Sequence, residues 1–215
     1  MIITFASFKG GVGKTTSSIH LACYLAKKGE TILIDGDRNK SATHWGKRGK
    51  LPFQVIDLYQ ASMQNKKVDH MVIDTQARPA REDLESLVEG CDLLILPSSP
   101  DALAMDALLQ TVDVLKDMKC DRYKILLTMV HSKPVKMAEQ AREALEGTPI
   151  FKTEIRRFIA YEKAALLGSP VFEVKGDRMA KVAWTDYEAL GKEILSAPTE
   201  RSFSVRDSQN FVLSY

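Results

Sequence analysis

Cysteine is scarce in this 215-residue chain: Cys23, Cys91 and Cys120 stand far apart, and no C-x-x-C pair occurs. That spacing argues against a disulfide framework or a cysteine-ligated cluster and points to reduced thiols in a cytoplasmic protein. No apolar run approaches the roughly 20 residues needed to cross a bilayer, and no signal peptide precedes the first apolar stretch. Internal repeats are lacking, as is any linker long enough to divide domains. Net charge is nearly absent too, 30 Lys+Arg against 28 Asp+Glu leaving +2. What remains is a single domain over residues 1–195 followed by a polar tail, 196–215, with 45% hydrophobic residues to build its core.

The charge that is present is unevenly placed. Residues 1–50 hold nine Lys/Arg against Glu30, Asp35 and Asp37, whereas residues 82–117 hold nine Asp/Glu against Lys116 alone. A near-neutral total therefore conceals one basic and one acidic region.

Short apolar runs alternate with helical patterns along the chain. Strands are expected at Ile2–Ala6, Thr31–Asp35, Gln54–Asp57, Met71–Asp74, Leu93–Pro97 and Lys124–Val130, with a short one near Ile150–Thr153. Four of these are continuously apolar, as parallel strands buried on both faces must be. Helices are expected at Thr15–Lys28, Arg81–Glu89, Ala102–Lys119, Lys136–Glu146 and Ala180–Leu195. The alternation implies an α/β fold: a doubly wound, mostly parallel sheet flanked by helices, binding ligands at the C-terminal strand ends.

Chemistry collects at those ends. The first strand runs into Lys9-Gly10-Gly11-Val12-Gly13-Lys14-Thr15-Thr16, placed at a strand-to-helix turn. Its glycines let backbone N–H groups approach an anion at a helix N-terminus. Lys14 can reach the β/γ-phosphates of a nucleotide, and the Thr15 hydroxyl can ligate magnesium. The standard phosphate-loop pattern has glycine where this chain has Phe8, and carries no counterpart of Lys9. The strand Thr31–Asp35 ends in Asp35 and Asp37, and Met71-Val72-Ile73 ends in Asp74. Three carboxylates converging on a phosphate loop can hold magnesium-bound waters or orient an attacking water.

With K-G-G-V-G-K-T-T and these aspartates, the chain resembles the ParA/MinD family of deviant Walker A ATPases, which have the P-loop NTPase fold. The resemblance implies ATP and Mg2+ as cofactors, bound by Gly10–Thr16. It implies that Lys9 reaches across a nucleotide-sandwich homodimer to the partner's ATP. It also implies that Asp37 positions the hydrolytic water, while Asp35 and Asp74 lie near the magnesium shell with Thr15. The second motif departs from the family's D-x-D-P-Q, reading Asp37-Arg38-Asn39. Ser41-Ala42-Thr43-His44-Trp45 is nevertheless similar to the segment next in line in short plasmid-partition ATPases. Thr75–Pro79 resembles the family's switch segment. Residues 153–170, through Arg157, Gly168 and Pro170, keep the spacing of the segment that closes over adenine and builds the dimer. Leu127-Thr128-Met129 stands where an asparagine often reads the base.

The resemblance implies a partition or cargo-positioning ATPase of the nucleoid, with plasmids, chromosome origins or carboxysomes among the cargoes. Its ATP dimer would bind DNA without sequence preference and answer to an adaptor of ParB or cargo-adaptor type. Since the chain opens on its first strand, no N-terminal helix-turn-helix is expected. Candidate DNA contacts are Arg156, Arg157, Lys163, Lys175, Arg178, Lys181 and Lys192, in a region that is almost charge-balanced. Asp101, Asp106, Asp113 and Asp117 recur along one expected helix and would attract a basic adaptor peptide. Three other readings fit less well. A MinD-like membrane cycle requires an amphipathic anchor, and residues 202–215 have one arginine and no helical stripe. A dethiobiotin-synthetase-like enzyme does not account for Lys9 beside Asp35 and Asp37. An iron–sulfur reductase fails on its missing cysteines.

Overall fold

The computed structural model describes residues 1–63, 67–131 and 136–196. The tail from 197, and with it the expectation that 202–215 lacks an amphipathic stripe, lies outside the described residues. Six strands form one sheet: β1 Ile2–Ser7, β2 Thr31–Gly36, β3 Gln54–Asp57, β4 His70–Ala77, β5 Leu93–Ser98 and β6 Tyr123–Leu127. Their order is β3-β2-β4-β1-β5-β6, and every pairing is parallel. Eight α-helices surround it among the described residues: α1 Lys14–Leu25, α2 Ser41–Arg48, α3 Leu58–Ser62, α4 Arg81–Gly90, α5 Ala102–Asp117, α6 Lys136–Ala144, α7 Ile159–Leu167 and α8 Met179–Ser196.

Strand alternation divides the core in two. Ile3, Phe5, Leu33, Val72 and Ile95 face a cluster closed by α1, α2, α7 and α8. Their neighbours Ile2, Ala6, Ile32, Ile34, Ile73 and Leu94 face another, closed by α3 to α6. Ten of the twelve α1 positions are buried, so the helix leaving the phosphate loop is itself core. It crosses α8 where Gly191 presents no side chain; a Cβ there would lie 2.1 Å from the Tyr24 ring.

Register places the site. Asp35 pairs with Asp74 across β2 and β4, and Phe5 of β1 pairs with Asp74 from the other side. The ends of β1, β2 and β4 thus bring the loop and the carboxylates to one edge.

Two strand expectations need correction. β6 stops at Leu127 and does not reach Val130: the Thr128 N–H makes the last bond to β5, at the Ser98 carbonyl, and Met129 then adopts a left-handed φ of 54°. The strand near Ile150–Thr153 is reduced to isolated bridges, Ile125 with Ile150 and Val130 with Arg156. Between them the N–H groups of Lys152 and Thr153 donate to Glu193 of α8, at 3.0 Å each, which diverts the chain from the sheet.

Candidate functional site

Gly11 and Gly13 have φ of 81° and 78°, a conformation that L side chains resist. The turn they make delivers Lys14 as the first residue of α1, and no side chain caps that helix. Its first-turn N–H groups are therefore left for an anionic ligand. A Cβ at Gly10 or Gly11 would meet nothing within 4 Å, so the loop borders open space on the ligand side. Val12 is buried, and its carbonyl accepts from Thr128 Oγ1 at 2.8 Å, fixing the loop's crest to the end of β6.

Inside the loop, Lys14 is tied to its own chain. Its Nζ donates to Asp74 Oδ1 at 3.1 Å and to the Thr75 carbonyl, and lies 3.7 Å from Asp37 Oδ2. Thr15 Oγ1 donates to Asp74 Oδ2 at 2.6 Å, and Ser18 Oγ lies 3.2 Å from Asp74 Oδ1. Asp74 is fully buried; desolvation raises its pKa against the opposing pull of Lys14 and Thr15. A cation beside Thr15 would favour the charged form. No group of three His, Cys, Asp or Glu suited to a metal occurs among the described residues. A magnesium ion would accordingly depend on nucleotide phosphates, with Thr15 and Asp74 as the chain's share, which is how magnesium is usually held.

The tandem aspartates divide their work. Asp37 accepts from the Asn39 N–H at 2.8 Å on one oxygen and points the other toward Lys14. Asp35, expected beside the metal, is turned elsewhere: Oδ2 accepts from the Thr43 N–H and Oγ1 at 2.8 and 2.7 Å, and Oδ1 from the Asp37 N–H at 3.2 Å. The chain itself occupies both oxygens, and the result is an anchor for α2. Thr43, eight residues along, carried no sign of this in the sequence.

Beside the loop lies a cleft of about 430 Å³, bounded by Gly13, Thr16, Met129, Arg157, Phe158 and Tyr161 among others. Its size and apolar walls suit a nucleoside. Tyr161 and Tyr187 of its lining pack behind it on His20, whose ring stacks on Tyr187 at 4.9 Å and meets Trp45 and Tyr161 edge-on. His20 Nδ1–H donates to the Thr16 carbonyl at 2.7 Å, and Nε2 accepts from the Val171 N–H at 3.0 Å. Complete burial lowers the His20 pKa to about 4, so the ring is neutral. Sequence reading missed His20, Thr43 and Ser18 because each is recognised only by what it touches.

Lys9 does not extend away from the molecule. Its Nζ pairs with Asp101 Oδ1 at 2.7 Å. The Lys9 and Ser99 hydrogen bonds hold the Asp101 carboxyl at about 2, below the usual carboxylate range. Asp101 also caps α5 by accepting from the Ala104 N–H, so it is not part of the exposed acidic face made by Asp106, Asp113 and Asp117.

The basic residues named for DNA are dispersed. Arg156 is engaged by Asp186 at 2.6 Å and Lys163 by Asp177 at 2.7 Å. Arg157 borders the nucleoside cleft. Lys175, Arg178 and Lys181 share a surface concavity with Glu173 and Asp177, and Lys192 is exposed on α8.

A parallel sheet whose central strand feeds a glycine loop, with a lysine, a threonine and a buried strand-end aspartate converging on it, defines a P-loop nucleoside triphosphatase. Residues 3–171 match the model of the CobQ/CobB/MinD/ParA nucleotide-binding domain, and the chain belongs to that family. It is 31% identical over 202 residues to the maintenance of carboxysome distribution protein A of Gloeobacter kilaueensis, covering 90% of this chain and 93% of that one. Among solved structures, a plasmid partition protein of Borrelia burgdorferi bound to AMPPNP superposes with a TM-score of 0.71 at 21% identity, covering 90% and 98% of the two chains. An ATP complex of McdA from Cyanothece gives 0.72 at 14% identity, covering 93% and 98%. These last two likenesses establish the fold. The protein is thus an ATPase of the group that includes partition and carboxysome-distribution proteins.

Proposed function

We propose that this chain is a magnesium-dependent switch that dimerises with ATP, binds DNA without sequence preference and hydrolyses ATP to distribute a cargo. The observation that carries the proposal is Lys9 in a phosphate loop that has Phe8 in place of the standard first glycine, on a chain similar nearly end to end to a carboxysome-distribution protein. Carboxysomes are accordingly the first cargo to test, with plasmid or chromosomal DNA as the broader class. The expected place of action is the nucleoid, and residues 1–195 would suffice as the ATPase domain. No helix among the described residues is long and apolar enough to cross a membrane.

Magnesium-ATP, when bound, supplies the γ-phosphoryl group and a metal that spreads its charge. N–H groups of Gly10 to Thr16 cradle the phosphates. Lys14 exchanges its ties to Asp74 and Thr75 for phosphate oxygens. Thr15 and Asp74 would hold the magnesium, and Asp37 would accept a hydrogen bond from the attacking water. Lys9 serves the second subunit's nucleotide. An adaptor drawn to the acidic outer face of α5 would stimulate turnover.

Retention on random-sequence duplex DNA, compared with ATP, with ADP and without nucleotide, tests the reading. Retention with ATP alone is expected. Equal binding in all three states, or none, overturns it.

A further inference from the structure

Between residues 38 and 53 the chain has five Lys/Arg and no Asp/Glu. This stretch contains α2 and comes directly after Asp37. Arg38, Lys47 and Lys50 are exposed, and none makes an ion pair among the described residues. Two further bases serve the fold: Lys40 donates to the Asp35 carbonyl at 3.1 Å and Arg48 to the Ala165 carbonyl at 2.8 Å. The C-terminal cations differ, because Arg156 and Lys163 already have carboxylates and the rest of that surface is interspersed with acids. Uncompensated positive charge on an exposed surface is what a phosphate backbone attracts.

The outward positions of α2 favour a polyanion over a lipid surface. Ser41, His44, Lys47 and Arg48 are exposed, whereas its apolar residues Ala42 and Trp45 are buried in the core. A helix lying in a membrane interface needs apolar side chains on the face it presents, and this face has none.

The same helix is fixed at both ends to neighbours of the nucleotide site. Its first turn hangs from Asp35 through Thr43. Its last turn meets α7 backbone to backbone: a Cβ on Gly168 would lie 2.3 Å from the Gly49 nitrogen, and Trp45 Nε1 donates to the Ser169 carbonyl at 3.2 Å. A shift of Asp37 as Lys14 takes up phosphate, or of α7 as the cleft fills, would therefore re-aim the helix.

We infer that α2 and its flanks, through Arg38, Lys47 and Lys50, form the surface that meets DNA phosphates, and that the nucleotide sets its orientation through Asp35 and α7. The inference rests on the DNA-binding reading above and specifies where that binding occurs. The contacts are to phosphates, so they position the protein without reading bases.

The test compares wild type with Lys47→Gln/Lys50→Gln, Lys47→Arg/Lys50→Arg and Lys175→Gln/Arg178→Gln/Lys181→Gln, each with ATP, on random-sequence duplex DNA over a salt series. Melting and nucleotide affinity of every variant are measured alongside. The double Gln variant is expected to lose roughly tenfold or more in affinity near 0.1 M salt, its log–log salt slope falling by about 0.9 for each phosphate contact removed. The Arg pair and the C-terminal triple variant should bind as wild type does. Wild-type affinity and slope in the double Gln variant overturn the inference, as does loss confined to the triple variant. Capture of wild type by anionic vesicles in place of DNA also overturns it. Wild type that binds DNA in no nucleotide state sinks the parent reading first, which separates the two failures.

Discussion

Lys9 Nζ and Asp101 Oδ1 stand 2.7 Å apart, joining the phosphate loop to the N-terminus of α5 within a single subunit. The cation that the dimer reading assigns to a neighbouring ATP is held at home. Freeing it opposes association by the worth of one half-exposed ion pair, about 0.5–1 kcal/mol. Asp101→Asn keeps an acceptor for the Ala104 N–H and removes the charge. We expect it to strengthen dimerisation with a non-hydrolysable ATP analogue by roughly two- to fivefold in sedimentation experiments. Unchanged or weaker association would show that the pair does not restrain Lys9.

Asp37→Ala should bind ATP and dimerise yet turn over at least about a hundredfold more slowly, as loss of a water-positioning group does. Single-turnover hydrolysis beside equilibrium nucleotide binding separates the two effects. Lys14→Ala should fail at the binding step itself. Undiminished turnover in the Asp37 variant would move the water-positioning role to another group.

His20 should make stability depend on pH. Its ring stays neutral in the folded protein down to about pH 4, whereas in the unfolded chain it takes up a proton from about 6.5. Stability linked to this group is therefore intact above pH 6.5 and declines as pH falls through that window, by about 3 kcal/mol in all. Urea unfolding at pH 7.5 and at pH 4.5 should show a fall in wild type that His20→Gln, which keeps an acceptor for the Val171 N–H, largely lacks. An equal fall in both proteins would assign the effect elsewhere.

Gly168 ends α7 at φ 66°, and a Cβ there would also lie 2.6 Å from the Arg48 carbonyl carbon. Both strain and overlap oppose any larger residue. Gly168→Ala is expected to lower stability by about 2–4 kcal/mol, read from chemical denaturation, and to weaken nucleotide binding because α2 and α7 part. A loss under about 0.5 kcal/mol would mean that the two backbones separate easily.

The sheet was legible because strands buried on both faces leave continuous apolar runs, as in Thr31–Asp35 and Met71–Asp74. The phosphate loop was legible because glycine, lysine and threonine at fixed offsets have few other uses. The helix α7 was not, since it buries only Ala160 and Ala164 while Ile159 and Leu166 face outward, leaving no apolar stripe to find. The tasks of Asp35 and Asp37 were not separable either. Two carboxylates two residues apart read alike until Thr43 claims one and Lys14 faces the other. Lys9 announced a class, but its pairing with Asp101, 92 positions away, is a product of the fold.

Among the ties of Lys14, the one to position 75 ends on a main-chain carbonyl. Whatever amino acid stood at that position would offer the same oxygen, so substitution there cannot release the lysine. Nucleotide entry is thus a contest between two sets of oxygens for one ammonium group, and one contestant is beyond the reach of mutation. Affinity for ATP can be tuned at Asp74 or Asp37, but a floor under that competition is built into the course of the backbone.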